Sequence, residues 1–184
     1  MGLQEFAAAI GSTALSTALK TDSWIVPFLQ SVHILMIGVV FVSILMISLR
    51  VLDRVRVDEP LALVWRRFAP FMWTGLVVMA ITGALLTIAE PVREFMTLSF
   101  RLKMLLLVIC IVSAVVFGRS VRAAARSAPA AAGVEPPLPA GVRVAAVVTL
   151  VLWLAIIFLG RAIAYDTSVW GDWSPTVSLG GAAT

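Results

Sequence analysis

The apolar positions of the chain gather into four long runs, and the charged positions gather at their ends. The first run, Trp24 to Leu52, is interrupted chiefly by Gln30 and His33 and closes on Arg50, Asp53, Arg54 and Arg56. Pro27 falls in its first turn, where a missing backbone N–H is tolerated. The second run, Phe68 to Ala89, is ended by Glu90-Pro91. The third, Leu98 to Phe117, has Arg101 and Lys103 near its start and Gly118-Arg119 after it. The fourth, Val142 to Ala164, carries Trp153 and, close to its end, Arg161. Roughly 20 apolar residues cross the hydrocarbon core of a bilayer as a helix. Each run therefore predicts a transmembrane helix, over about 24–50, 69–89, 98–118 and 142–164. The expected fold is all-α, an antiparallel four-helix transmembrane bundle over residues 23–165, with an N-terminal interfacial segment at 1–22 and an extracytoplasmic tail at 166–184.

The flanks are shorter and more polar. Residues 2 to 20 predict an amphipathic helix with Leu3, Phe6, Ala7, Ile10 and Leu15 turned toward the membrane surface. Met1 to Thr21 has neither a basic start nor a long apolar centre, so no cleavable signal peptide is expected. Ala128 to Gly141, rich in Ala and Pro, predicts an irregular loop. Trp170 and Trp173 suit a membrane–water interface.

Composition agrees with a bilayer and with little else. Of 184 residues, 61% are hydrophobic and 13% charged, with a mean hydropathy of +1.04. A soluble domain is ~45–50% apolar and about a quarter charged. Four spans and their loops leave no room for an added soluble domain. The net charge of +4 does not point to nucleic acid, because the arginines stand at the ends of apolar runs, where topology signals belong. Cys110, the single cysteine, lies inside an apolar run and reads as a small buried side chain without a disulfide partner.

Charge also predicts orientation. Arg50, Arg54, Arg56, Arg66 and Arg67 flank the first loop, and Arg119, Arg122, Arg126 and Arg143 flank the third, so most of the 14 Lys and Arg residues fall on one side. By the positive-inside rule these loops are cytoplasmic and both termini extracytoplasmic, as in a multi-pass protein of a bacterial inner membrane.

That orientation collects the unexpected polar residues. His33 lies nine residues in from Trp24, about 13 Å at 1.5 Å per residue. Lys103 lies just inside the third helix, Arg161 near the end of the fourth, and Glu90 at the end of the second, all toward the extracytoplasmic side. Ionisable groups within a span cost ~2.5–3.5 kcal/mol near its centre, so each asks for a reason. The bland reasons are a structural hydrogen bond for His33, snorkelling for Lys103, Arg101 and Arg161, and a solvated helix end for Glu90. Met36 shares the face of His33, and Gly75 and Gly83 permit close helix contact. The functional reading is a site in the outer leaflet. One histidine excludes a bis-histidine haem, but imidazole can hold one axial position with a lysine amine, a methionine or nothing in the other. Arg161 would then face a haem propionate. Copper is the alternative, since imidazole and thioether suit it.

His33 followed by ILMIGVVFVSILMISLRVL resembles the first helix of copper-resistance protein D and of HemJ-type protoporphyrinogen oxidases. RFAPFMWTGLVVMAITGALL (Arg67 to Leu86) is similar to their second helix, and FRLKMLLLVICIVSAVVF (Phe100 to Phe117) to their third. FLGRAIAY (Phe158 to Tyr165) resembles a family of uncharacterised small bacterial membrane proteins of the same four-helix plan. The resemblance runs from Trp24 to Tyr165 through His33, Arg67-Phe68, Thr82-Gly83, Lys103 and Gly160-Arg161. It implies haem b, with His33 and Lys103 as candidate axial ligands.

The expected function is thus that of a small haem-b membrane protein in electron transfer near the extracytoplasmic face, exchanging electrons with a quinone or a partner redox protein. Two alternatives stay open. One is a non-catalytic subunit or anchor of a larger membrane complex or homo-oligomer; the other is a copper or small-solute permease.

Overall fold

A computed structural model describes residues 2–127 and 138–176. Among these residues the regular structure is helical, with no strand. In chain order the α-helices are α1 (Leu3–Gly11), α2 (Ala14–Thr21), α3 (Ile25–Val51), α4 (Leu61–Ala89), α5 (Pro91–Met96), α6 (Leu98–Ser127), α7 (Ala140–Ala162) and α8 (Asp166–Trp170). Short 3-10 turns, Ile163–Tyr165 and Gly171–Trp173, flank α8. Four segments are long and apolar enough to cross a bilayer: Ile25–Val51, Leu61–Ala89, Leu98–Ser120 and the one beginning at Ala140. The chain is a multi-pass membrane protein with an all-α transmembrane bundle.

Two of the spans run further than their apolar stretches. α4 begins at Leu61 rather than near 69, because Leu61 and Val64 are buried while Arg66 and Arg67 project outward from the same turns. Charges on an outward face interrupt the hydropathy signal without interrupting the helix. α6 likewise continues to Ser127, past Gly118 and Arg119. Of the expected loop from 128 to 141, residues 128–137 lie outside the described residues, and α7 starts at Ala140.

The N-terminal segment is two helices. The Ser12 hydroxyl donates to the Ala9 carbonyl and the Thr13 hydroxyl to the Ile10 carbonyl. Such local bonds compete with helix continuation. Thr13 then takes extended backbone, and its oxygen accepts from the Ser16 N–H to cap α2. α1 packs on α5 and α2 on the end of α4. Ala7 is fully buried, the Ser16 hydroxyl donates to the Ala89 carbonyl at 3.5 Å, and Phe6 meets Phe95 edge-on at 6.0 Å. The segment therefore sits over the helix ends, with Leu3, Phe6 and Leu15 still exposed.

Two clusters form the bundle core. Val40, Ile44, Met72, Cys110, Trp153 and Ile156 fill its middle. Ile47, Val51, Leu61, Phe117 and Ala146 fill the arginine-rich end. Between helices in lipid, association rests on close packing rather than on escape from water. α3 and α4 make the most extensive pair, and Gly75 lets them approach: a Cβ there would lie 2.6 Å from Val40 Cγ2. Val40 is fully buried and cannot swing away. Gly75→Ala is expected to lower the thermal midpoint in detergent, at a cost of about 1–3 kcal/mol. Val40→Ala in the same chain should recover most of the loss. An unchanged midpoint in Gly75→Ala would show that the pair is looser than this.

At the arginine-rich end, Asp53 and Arg56 both adopt φ +54 and turn the α3–α4 connection sharply. Asp53 accepts from Arg143 of α7 and, at 3.3 Å, from Arg50 of α3. Glu59 accepts from Arg56 at 2.6 Å and from Arg67 at 3.2 Å. The Arg50 Nε–H donates to the Glu59 carbonyl at 2.8 Å. These bonds tie three spans together at one end and leave the polar residues of the other end for separate use.

Candidate functional site

The imidazole of His33 is held by α4. Thr82 is buried there, and its hydroxyl donates to the Val78 carbonyl at 2.8 Å, as helical threonines commonly do. Thr82 Oγ1 also lies 2.8 Å from His33 Nδ1, a hydrogen bond whose donor follows the imidazole tautomer. Gly83 makes room beside the ring, since a Cβ there would lie 3.2 Å from His33 Cε1. Thr82-Gly83 is therefore a seat for the imidazole: one residue orients it and the next avoids it.

Lys103 turns inward. It is half-buried on α6, and its ammonium lies against α7 at Gly160, where a Cβ would be 3.7 Å from Nζ. Snorkelling would carry it away from α7; the missing side chain at Gly160 gives it a place to stay. His33 on α3, Glu94 on α5 and Lys103 near the start of α6 stand toward the same end of the bundle. Arg161 does not join them. It is exposed, stacked 5.1 Å over the Tyr165 ring, and it donates to the Tyr165 hydroxyl at 3.2 Å.

Two residues of this end have no counterpart in the sequence reading. Glu94, on the short α5, is half-buried. Burial pushes its carboxyl above the usual carboxylate range, against the pull of Lys103 and Arg93 and with a smaller push from Glu90. An acid whose pKa is raised by folding stabilises the fold below its unfolded pKa and loses that contribution as pH rises through the folded value. Glu94→Gln is therefore expected to flatten the fall of the thermal midpoint as pH climbs from about 4 toward neutrality. Parallel pH profiles for variant and wild type would exclude this role. Glu90, by contrast, is a helix end paired with Arg93.

Asp166 is the second. It is 4% exposed, and its carboxylate accepts from the backbone N–H of Leu98 at 3.2 Å and of Ser99 at 2.9 Å. It also accepts from the hydroxyls of Ser99, at 2.6 Å, and Ser174. The Trp170 indole N–H donates to Ser99 Oγ at 2.8 Å. The C-terminal segment thus caps α6, the helix that carries Lys103, and Trp170 is tied down rather than lying free at the interface. Residues 177–184 of the expected tail lie outside the described residues.

The donor set discriminates between ligands. Among the described residues no group of three His, Cys, Asp or Glu side chains converges on a point that could hold a metal ion. A bare copper ion would need several protein ligands. A haem brings four nitrogens of its own and asks the protein for one or two axial ligands. One imidazole, held at Nδ1 by a hydrogen bond to Thr82, fits that requirement, because outer hydrogen bonds of this kind set the orientation and basicity of ligating histidines. An open groove runs along α3 and α4, between Gly38, Val42, Phe68 and Phe71; its lining includes none of His33, Lys103 or Arg161.

Residues 11–166, most of the chain, match the model of a family of unknown function, DUF6644. No curated protein and no solved structure matches the chain.

Proposed function

Starting from a chain that belongs to the DUF6644 family, we propose that the protein is a small membrane haem-b protein that passes electrons near the extracytoplasmic face, with His33 as an axial ligand. The observation that carries this is the His33–Thr82 hydrogen bond, which holds and orients the chain's single imidazole between α3 and α4. When bound, the haem iron supplies the one-electron chemistry. The chain's own residues do the rest. Thr82 holds the imidazole by a hydrogen bond at Nδ1, and Gly83 lets it sit against α4. Lys103 stands beside Gly160 on the α7 side of the same end and, once deprotonated to the neutral amine, would be a second residue to hold the group. Arg161, exposed at the rim and resting on Tyr165, would offer a counter-charge to an acidic group of the cofactor. The arginine-rich end faces the cytoplasm in this reading, so electrons would come from or go to a quinone or a redox protein on the opposite side.

A reduced-minus-oxidised visible spectrum of the detergent-purified full chain, produced with ample haem, tests the proposal. Sharp alpha and beta bands at stoichiometric haem are the expected result. A flat spectrum overturns it and leaves the chain as a colourless membrane subunit, to be pursued through co-purifying partners.

A further inference from the structure

The second feature lies at the opposite end and is independent of the haem reading. The paired carboxylates of the α3–α4 connection are already shared, Asp53 between Arg50 and Arg143, and Glu59 between Arg56 and Arg67. Arg66 on α4 and Arg119 and Arg122 on α6 make no ion pair among the described residues, and all three are exposed. They surround one place, the crossing of α4 and α6. There Trp65 meets Gly118 so closely that a Cβ on the glycine would lie 2.8 Å from Trp65 Cη2. Arg122 stands 5.8 Å over the Trp65 ring and donates its Nε–H to the Gly118 carbonyl at 3.0 Å, which fixes the guanidinium and leaves its terminal N–H groups free.

Arg66 and Arg119 each follow a contact residue by one position. At about 100° per residue, each turns out of the seam. Because α4 and α6 run in opposite directions, both turn to the same side, away from the core formed by Met72, Cys110 and Phe117. The seam continues toward mid-membrane on that side as an apolar strip, with Trp73 and Val77 of α4 and Val108 and Val112 of α6 exposed along it. A cluster of unpaired guanidinium groups at the mouth of an apolar cleft has two complementary halves. Arg is suited to forked hydrogen bonds to phosphate oxygens, and the strip below suits an acyl chain.

We propose that the α4–α6 seam is a binding site for an anionic phospholipid, its headgroup phosphate held by Arg66, Arg119 and Arg122 and an acyl chain lying over Trp73, Val77, Val108 and Val112. Basic surfaces between helices at a membrane face recognise acidic headgroups in this way. The site makes the lipid a wedge between the two spans that otherwise meet at Trp65 and Gly118.

The test uses the full chain in neutral detergent, titrated with phosphatidylglycerol or with phosphatidylcholine, and counts retained lipid by native mass spectrometry. Phosphatidylglycerol should be retained in preference to phosphatidylcholine. The double variant Arg66→Gln/Arg119→Gln should weaken that retention about thirtyfold, at about fivefold per arginine. Arg54→Gln, which removes an exposed arginine off the seam, should leave it unchanged. Equal retention of the two lipids, or full retention by the double variant, would overturn the proposal. A loss in Arg54→Gln as large as in the double variant would replace the site by diffuse charge. Displacement of the lipid by millimolar inorganic phosphate would reduce it to an anion site. If the double variant does not fold, Arg66→Lys/Arg119→Lys carries the test: it keeps charge but not the fork, and wild-type retention there refutes forked recognition.

Discussion

His33→Ala, produced with ample haem and purified in detergent, is expected to lose the reduced-minus-oxidised bands entirely while keeping its helical circular dichroism. The imidazole is the only one in the chain, so no second histidine can substitute. A graded companion separates ligation from mere packing. Thr82→Val keeps the shape of the site but removes the hydroxyl that hydrogen-bonds Nδ1. Loss of such an outer partner typically costs 10–100-fold in metal affinity, so Thr82→Val should bind haem about 10–100-fold more weakly, and Thr82→Ser should recover most of it. If His33→Ala retains the wild-type bands, His33 is not a ligand and its bond to Thr82 is structural. If Thr82→Val binds as wild type, the seat is not what prepares the ring.

The other large effect falls on stability. In Asp166→Ala, the N–H groups of Leu98 and Ser99 and the hydroxyls of Ser99 and Ser174 lose one shared acceptor in a site that is nearly inaccessible. Unsatisfied buried donors cost ~1–3 kcal/mol each, partly relieved by rearrangement, so a net loss of about 3 kcal/mol is expected. For a chain of this size that is a fall of roughly 6–12 °C in the thermal midpoint. Trp173→Ala, at a side chain 85% exposed, should change the midpoint by less than about 0.5 kcal/mol. Equal melting of Asp166→Ala and wild type would mean that the cap is dispensable.

What the sequence made legible followed from the bilayer's demands. Long apolar runs located all four spans, because a span has to be apolar along its whole length. The depth of His33 and Lys103 put them at one end, and the structure brings both into the interior there. Helix starts were harder. Leu61 and Val64 belong to α4, but Arg66 and Arg67 lower the hydropathy around them and only burial reveals the buried face. Arg161 looked equivalent to Lys103 because both stand near helix ends; Gly160, its neighbour, is what faces the lysine, and the arginine is turned toward Tyr165. Glu94 was hidden in a connection too short to show a period, since α5 spans only 6 residues. Asp166 was hidden for a different reason: a carboxylate after the last apolar run reads as tail, and nothing local says that its donors lie far back in the chain.

That distance, 68 residues between Asp166 and Leu98, carries a consequence for biosynthesis. The start of α6 emerges from the ribosome long before its cap exists. During insertion its first N–H groups must be served by water or by lipid headgroups, and they exchange those partners for a carboxylate only when the final span has been delivered. Ser174 and Trp170 emerge later still. The segment around Lys103 therefore takes its native form last, and a chain truncated ahead of residue 166 would have all its spans but an α6 entrance still unsealed.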